Sequence, residues 1–356
     1  MTKLQRLRNN MKSRGVDSII VLDELNQHYL SDFAFTDGFL LITMNKAYLV
    51  TDFRYYEMAI NGACKEFEIL MPENRREFID MALSNESVKT IGFEGGFVSY
   101  ETYKSYCEKH PNFTFVNIEN MIELQREIKT PDEIEKMQRA QDITDLAFNH
   151  IINVLTPNMT EIEVAAELEY IMRKNGASAL AFETIAVSGD ASALPHGTPR
   201  NIKLKPGFLT MDYGAKFDGY CSDMTRTVVI GKADAEIKKL YNTVLKAQVD
   251  AIEYLRHGCD AGEADKIARD IIDSIPEYKG AFGHSLGHSV GLFIHESPRV
   301  SFKSFGEKLQ KGNVVTVEPG IYLFGKYGCR IEDMVAIEEN GVRNFTHSTK
   351  ELIEII

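Results

Sequence analysis

Asp212, Asp223, His288, Glu318 and Glu332 are the side chains of this sequence best placed to do chemistry together. Four carboxylates and one imidazole form a donor set for metal. Two divalent cations would neutralise the four charges, and oxygen-rich ligation with a single nitrogen suits manganese, cobalt or iron(II), with zinc possible, better than a metal selected by thiolates. A pair of such ions can position water and polarise a carbonyl, which is the chemistry of hydrolysis.

The two aspartates lie in Phe208 to Val229, FLTMDYGAKFDGYCSDMTRTVV, which reads as two strands of a hairpin. If Lys216 to Gly219 form a four-residue loop, Asp212 falls directly opposite Asp223, about 5 Å apart at Cβ. A two-residue turn at Asp218 and Gly219 instead sets Asp212 opposite Thr225. Strand parity keeps both aspartates on one face in either register. Facing like charges destabilise a ladder, and a divalent cation would offset them. An exposed acidic hairpin neutralised by water and salt is the plainer alternative.

Three places downstream could complete the set. Gly283-His284-Ser285-Leu286-Gly287-His288, continuing through Gly291 to His295-Glu296, is too glycine-rich for a helix. Ser285 also occupies the position where an H-E-x-x-H helix needs its glutamate, and no Gly-Lys-Ser/Thr makes it a phosphate loop. Val314-Val315-Thr316-Val317-Glu318-Pro319-Gly320 is an apolar strand that ends on a glutamate before a Pro-Gly turn. In Cys329-Arg330-Ile331-Glu332-Asp333-Met334 a charged triplet interrupts a strand-like run, with Arg330 and Glu332 on one face. A solvent-facing, salt-bridged strand would explain the triplet, but Ile331, Met334 and Val335 argue for an interior one, where charges need partners.

The elements that must position these groups fall into two parts. The first is a small α/β domain of about a hundred residues. It opens with a helix carrying Leu4, Leu7 and Met11 that Gly15 can close, a buried strand Ser18 to Leu22, and a hairpin of Phe39 to Thr43 and Ala47 to Thr51. Helices over 54–60, 75–83 and 100–109 alternate with strands over 67–71, 90–93 and 113–118. The boundary is expected near residue 125, giving domains 1–125 and 126–356. Thr130-Pro131-Asp132-Glu133 is a capping box with proline at the first helical position, and it opens a long helix to about Leu155. Thr160 with Glu163 opens a second, which Gly176 can end. Phe182 to Val187 reads as a strand, helices follow over 235–255 and 263–275, and strands fill most of the rest. The fold class is α+β, with antiparallel sheet and segregated helices in the second domain.

At 356 residues, 44% hydrophobic and 26% charged, the chain has the composition of a soluble globular protein. Its net charge of −12, with no basic stripe, excludes a nucleic-acid surface. The start lacks an apolar signal segment and no run approaches the roughly 18 apolar residues of a membrane span, so a cytoplasmic location is expected. Five scattered cysteines without a C-x-x-C pair read as reduced thiols.

The five candidate ligands, in this order and spacing, resemble the pita-bread metallopeptidases, the group containing methionine aminopeptidase, aminopeptidase P, prolidase and creatinase. The similar motifs are D-Y-G at Asp212, S-D-M-T-R-T around Asp223, G-H-S-V-G around His288, V-E-P-G at Glu318 and R-I-E-D around Glu332, with Leu194-Pro195-His196-Gly197 and Ile294-His295-Glu296 in addition. The first domain makes the chain look like the Xaa-Pro branch and creatinase. The complete ligand set is unlike creatinase, and unlike pita-bread scaffold proteins, which are expected to have lost ligands.

The resemblance implies a C-terminal pita-bread domain behind a creatinase-like N-terminal one, and hydrolysis of the bond between a first residue and a following proline. It implies two divalent ions, manganese foremost, and a homodimer acting on proline-containing di- or short peptides. Glu318 would also take the proton from the nucleophilic water. His196 and His295 would flank the substrate, stabilising the intermediate or protonating the proline nitrogen. Tyr322 and Arg330 are candidates for orienting the carboxylates and meeting the substrate. His284 lines the same pocket or bonds to backbone. Phe182 and Ile185 could wall a proline pocket, with core packing the stronger expectation for Ile185. Arg299, four residues after His295, is similar to the arginine that meets a dipeptide's carboxylate in archaeal-type prolidases. It favours a dipeptidase over an aminopeptidase acting on longer peptides.

Overall fold

The structure is a computed structural model describing residues 1–356, and the chain divides into two units, Met1–Arg126 and Glu127–Ile356. In the first, the run SIIV at Ser18–Val21 is buried at every position, as expected of an interior strand covered on both faces. It pairs antiparallel with Phe39–Thr43 and parallel with Thr90–Phe93, inside a six-stranded sheet completed by Ala47–Val50, Glu68–Leu70 and Thr114–Asn117. Helix Lys3–Arg14 starts at a capping box formed by Thr2 and Gln5 and buries Leu4, Leu7 and Met11.

The second unit repeats one arrangement twice, a helix pair against a mainly antiparallel sheet. Helices Pro131–Val154 and Glu161–Lys174, both opened by the expected capping boxes, share a buried apolar cluster with the sheet that contains Ile185–Ser188, Gly207–Tyr213 and Met224–Ile230. Helices Ala235–Tyr254 and Ala261–Asp273 share another with the sheet that contains Gly287–Ser289, Val314–Val317 and Asp333–Glu338. The aspartates therefore come from one sheet, and the histidine and glutamates from the other or its edges.

The hairpin adopts the two-residue register. Phe217 pairs with Tyr220 across Asp218-Gly219, whose φ values of 50° and 82° are the paired positive angles of a type I′ turn. Asp212 then lies opposite Thr225, so the four-residue loop does not form. The expected strand from Phe182 begins only at Ile185, because Phe182, Glu183 and Thr184 bend to line a cavity. No helix is long and apolar enough to cross a membrane.

Candidate metal centre and active site

Donor atoms of Asp223, His288 and Glu332 lie within 4.8 Å of one another, all three residues buried. His288 Nε2 is 3.6 Å from Asp223 Oδ2 and 3.5 Å from Glu318 Oε1. The His288 ring donates through Nδ1 to the Ser289 carbonyl at 3.1 Å, which leaves Nε2 as the lone-pair nitrogen facing the carboxylates. Burial, helped by neighbouring His295, holds the His288 pKa down at about 3, so the ring is neutral and no proton competes at that nitrogen. Gly287 is what lets this strand come so close to its neighbour: a Cβ there would sit 2.0 Å from the Thr316 carbonyl oxygen.

Asp212 stands beside this group but outside its 4.8 Å circle. Its Oδ2 accepts from Arg330 at 2.6 Å, while its Oδ1 is buried with no hydrogen-bond partner. A bare, buried carboxylate oxygen is costly unless a cation or a donor meets it. Burial pushes the Asp223 and Glu332 carboxyls well above their ordinary range, reinforced by the charges of the other carboxylates. Glu318 is pushed up to about 8, chiefly by burial and against the opposing charge of Arg330. Such a cluster of oxygens, with one free imidazole nitrogen, fits divalent cations.

Arg330, 3% exposed, is the hub of the supporting network. Besides Asp212 it donates to the Tyr322 hydroxyl at 2.7 Å and, through Nε, to Thr225 Oγ1 at 3.0 Å; the Thr225 hydroxyl in turn donates to Glu332 Oε2 at 2.7 Å. One guanidinium thus fixes carboxylates from both sheets, which is the support metal ligands need. The Tyr322 hydroxyl also meets His284 Nε2 at 3.0 Å, and His284 Nδ1 donates to the Ser285 carbonyl at 2.9 Å. His284 therefore does both things expected of it, lining the cavity and bonding to backbone. Thr316 accepts from the His288 N–H and donates to Glu318. Thr225 and Thr316 were not singled out in the sequence, though each stands two residues from a ligand on the same strand face, which is a usable signal.

The five candidate ligands, with His284 and Arg330, face a cavity of about 420 Å³, a size suited to a small ligand. His196, His295 and Arg299 lie on its wall with Phe182 and Ile185. Ile185 pairs across the strand with Asp212 and lines the cavity, so its role is not confined to core packing. Tyr322, expected to meet the substrate, is not on the cavity wall; it stands behind it, bonded to Arg330 and His284.

A two-sheet α+β domain enclosing a carboxylate-rich metal centre defines a metallohydrolase. The sequence profile of metallopeptidase family M24 matches residues 135–339, and that of the creatinase/prolidase N-terminal domain matches residues 3–128. The chain is 38% identical to the Xaa-Pro dipeptidase of Pyrococcus furiosus over 99% of both chains. Its structure resembles that of the Xaa-Pro dipeptidase from Bacillus anthracis (TM-score 0.94, 38% identity, 99% of both chains). It also resembles the X-Pro aminopeptidase from Thermotoga maritima (TM-score 0.91, 34% identity, 100% of both chains). The chain belongs to metallopeptidase family M24, with the pita-bread fold and the divalent-metal dependence that its motifs imply.

The raised carboxyls give metal binding a pH dependence of definite sign. Asp223 and Glu332 are held well above their ordinary values and Glu318 at about 8, so binding ions displace protons near neutrality. Mn²⁺ affinity is expected to rise from pH 6 to pH 8 with release of protons, measured by calorimetry in buffers of different ionisation enthalpy. The chelated protein should behave oppositely. Carboxyls with raised pKa favour the fold below about pH 4.5 and oppose it as pH climbs toward 8, so its melting temperature should fall over that range.

Proposed function

We propose that this chain is an Xaa-Pro dipeptidase, releasing proline from dipeptides with two divalent ions, manganese foremost, held by Asp212, Asp223, His288, Glu318 and Glu332. The observation that carries the reading is Arg299. It stands on the wall of the same cavity as the carboxylate cluster, making no ion pair within the chain, where a dipeptide's terminal carboxylate would meet it. The family relationship and the dipeptidases among the similar proteins support the same choice.

When bound, the metal pair supplies electrophilic polarisation of the scissile carbonyl and charge stabilisation. The protein's own groups do the rest. Glu318, ionised once bound cations displace its proton, takes the proton from the attacking water. The bond to proline is a tertiary amide whose nitrogen must be protonated as it leaves. His196 and His295 serve that transfer and the developing oxyanion between them. Burial first, and then the Arg299 charge, lower the His295 pKa, so the ring rests neutral and readily gives up any proton it receives. Arg330 and Tyr322 keep Asp212 turned so that Oδ1 stays available, and Phe182 provides an apolar wall for the proline ring.

We assign residues 1–125 to the creatinase/prolidase-like domain and 126–356 to the catalytic one. We propose a cytoplasmic homodimer, for which light scattering should give twice 40.2 kDa.

Proline release from Ala-Pro, run beside first-residue release from Ala-Pro-Ala, tests the dipeptidase assignment. The Arg299→Ala variant should lose about 10- to 100-fold in kcat/KM on Ala-Pro, the range of a charge-assisted hydrogen bond, and should spare the tripeptide. Equal losses on both substrates would remove Arg299 as the carboxylate anchor. Faster cleavage of the tripeptide by the wild type would make the chain an aminopeptidase.

A further inference from the structure

His196, an exposed residue, lines the cavity from a segment that is neither helix nor strand, and its ring makes no hydrogen bond within the chain. Its position is therefore set by whatever holds the backbone on either side. That segment leaves the sheet at Ser188, passes through the short 3₁₀ turn Gly189–Ala193 and returns to helix Glu161–Lys174 at Arg200.

A buried carboxylate joins its two ends, beside one direct bond from Arg200 Nη2 to the Ser188 carbonyl at 3.3 Å. Glu161, fully shielded from solvent at 0% exposure, accepts on Oε1 from the Ser188 N–H at 2.7 Å, the Ser188 hydroxyl at 2.8 Å and Arg200 Nη2 at 2.6 Å. On Oε2 it accepts from the Arg200 N–H at 3.0 Å and Arg200 Nε at 2.8 Å. Both oxygens are saturated by donors belonging to the two feet of one loop. A buried charge satisfied this way fixes geometry more strictly than an exposed ion pair, because letting go leaves the carboxylate unpaired. Within the loop, only two further ties reach the rest of the site. The Ser192 hydroxyl accepts from the Gly328 N–H at 3.0 Å, and the Pro195 carbonyl accepts from Arg330 at 3.4 Å.

We infer that Glu161 is a positioning residue for His196, a clamp that closes the loop and sets the histidine's place over the substrate. Glu161 touches neither the cavity nor the carboxylate cluster and acts through the Ser188 and Arg200 feet. The catalytic readout of this inference rests on the Xaa-Pro hydrolase reading above, whereas the loop's order does not.

The test uses Glu161→Gln, which keeps the volume and removes the charge, and Arg200→Ala, which spares Glu161 and both its Ser188 donors, should the first variant fold poorly. Hydrogen exchange over residues 189–199 should quicken in either variant, while metal stoichiometry stays at the wild-type value. Unchanged exchange overturns the clamp whatever the enzyme's substrate. Proline release should fall about 100-fold, the scale of a misplacement of about an ångström, and this loss should vanish when Glu161→Gln is made in a His196→Ala background. A loss of the same size in both backgrounds would show a role unconnected with His196 and overturn the inference. Wild-type protein that releases no proline would refute the Xaa-Pro reading, with the exchange result still deciding the clamp.

Discussion

Glu318→Gln should lower the turnover of Ala-Pro by about 10²- to 10⁴-fold, the range for loss of a general acid–base group. Glutamine keeps the shape and one oxygen but cannot receive a proton. The glutamate is delivered by strand Val314–Val317 and anchored by its own N–H on the Leu286 carbonyl at 2.8 Å, so the substitution leaves the backbone of the site in place. Its pKa near 8 comes chiefly from burial, with the Asp212 charge assisting and Arg330 opposing. In the metal-free chain that keeps the carboxyl largely protonated near neutrality; bound cations would displace the proton and leave the carboxylate free to take one from water. Turnover should be measured at saturating Mn²⁺ with bound metal counted, so that lost affinity is not mistaken for lost chemistry. Turnover within tenfold of wild type at full metal occupancy would remove Glu318 as the base.

The largest stability effect is expected at Arg226. This side chain is 1% exposed and binds Asp333 at 2.7 Å, and it also donates to the carbonyls of Thr225, Glu332, Ser348 and Thr349. It thereby ties the strand after Asp223, the backbone of Glu332 and the C-terminal segment into one knot. Arg226→Met should destabilise the protein by about 3–5 kcal/mol, because it breaks a buried pair from one side and leaves four carbonyls without that donor. Lys350 and Asn344 still reach Asp333 at 2.8 and 2.9 Å, which favours the lower end.

The pH dependence of this effect follows from Asp333. Burial alone would raise its pKa, but the Arg226 and Lys350 charges outweigh it and hold the group at about 2. A depressed carboxyl contributes its stability above the ordinary value of 3.8 and loses it as pH falls through about 2. The gap between wild type and variant in urea denaturation should therefore be full at pH 7 and narrow below about pH 4. A gap that widens on acidification would contradict the assignment.

Much of this site could be read from residue types and order because metal ligands carry their chemistry in their identity. The capping boxes at Thr130 and Thr160, the strand that ends on Glu318 and the parity of Asp212 with Asp223 are local features, set within a few residues. The hairpin register was also local in origin. The paired positive φ angles that Asp218 and Gly219 adopt are what an Asp-Gly turn prefers, and the choice between registers decided that Thr225, not Asp223, faces Asp212.

What was hidden is non-local or lacks an apolar pattern. Helix Glu24–Ser31 buries Asn26, Gln27 and Ser31 beside Tyr29 and Leu30, so no apolar stripe announces it. The Asp212–Arg330–Thr225–Glu332 network joins residues more than a hundred positions apart. Glu161 sits at the first position of a helix, where an acidic residue is expected to complement the dipole. Only the fold brings Ser188 and Arg200 to it.

The most direct test is a titration of Mn²⁺ into chelator-stripped protein, following heat and proline release from Ala-Pro in the same samples. The expected result is two ions per chain, with proline release appearing as they bind and disappearing again on chelation. Two bound ions with no proline from Ala-Pro and no alanine from Ala-Pro-Ala would contradict it.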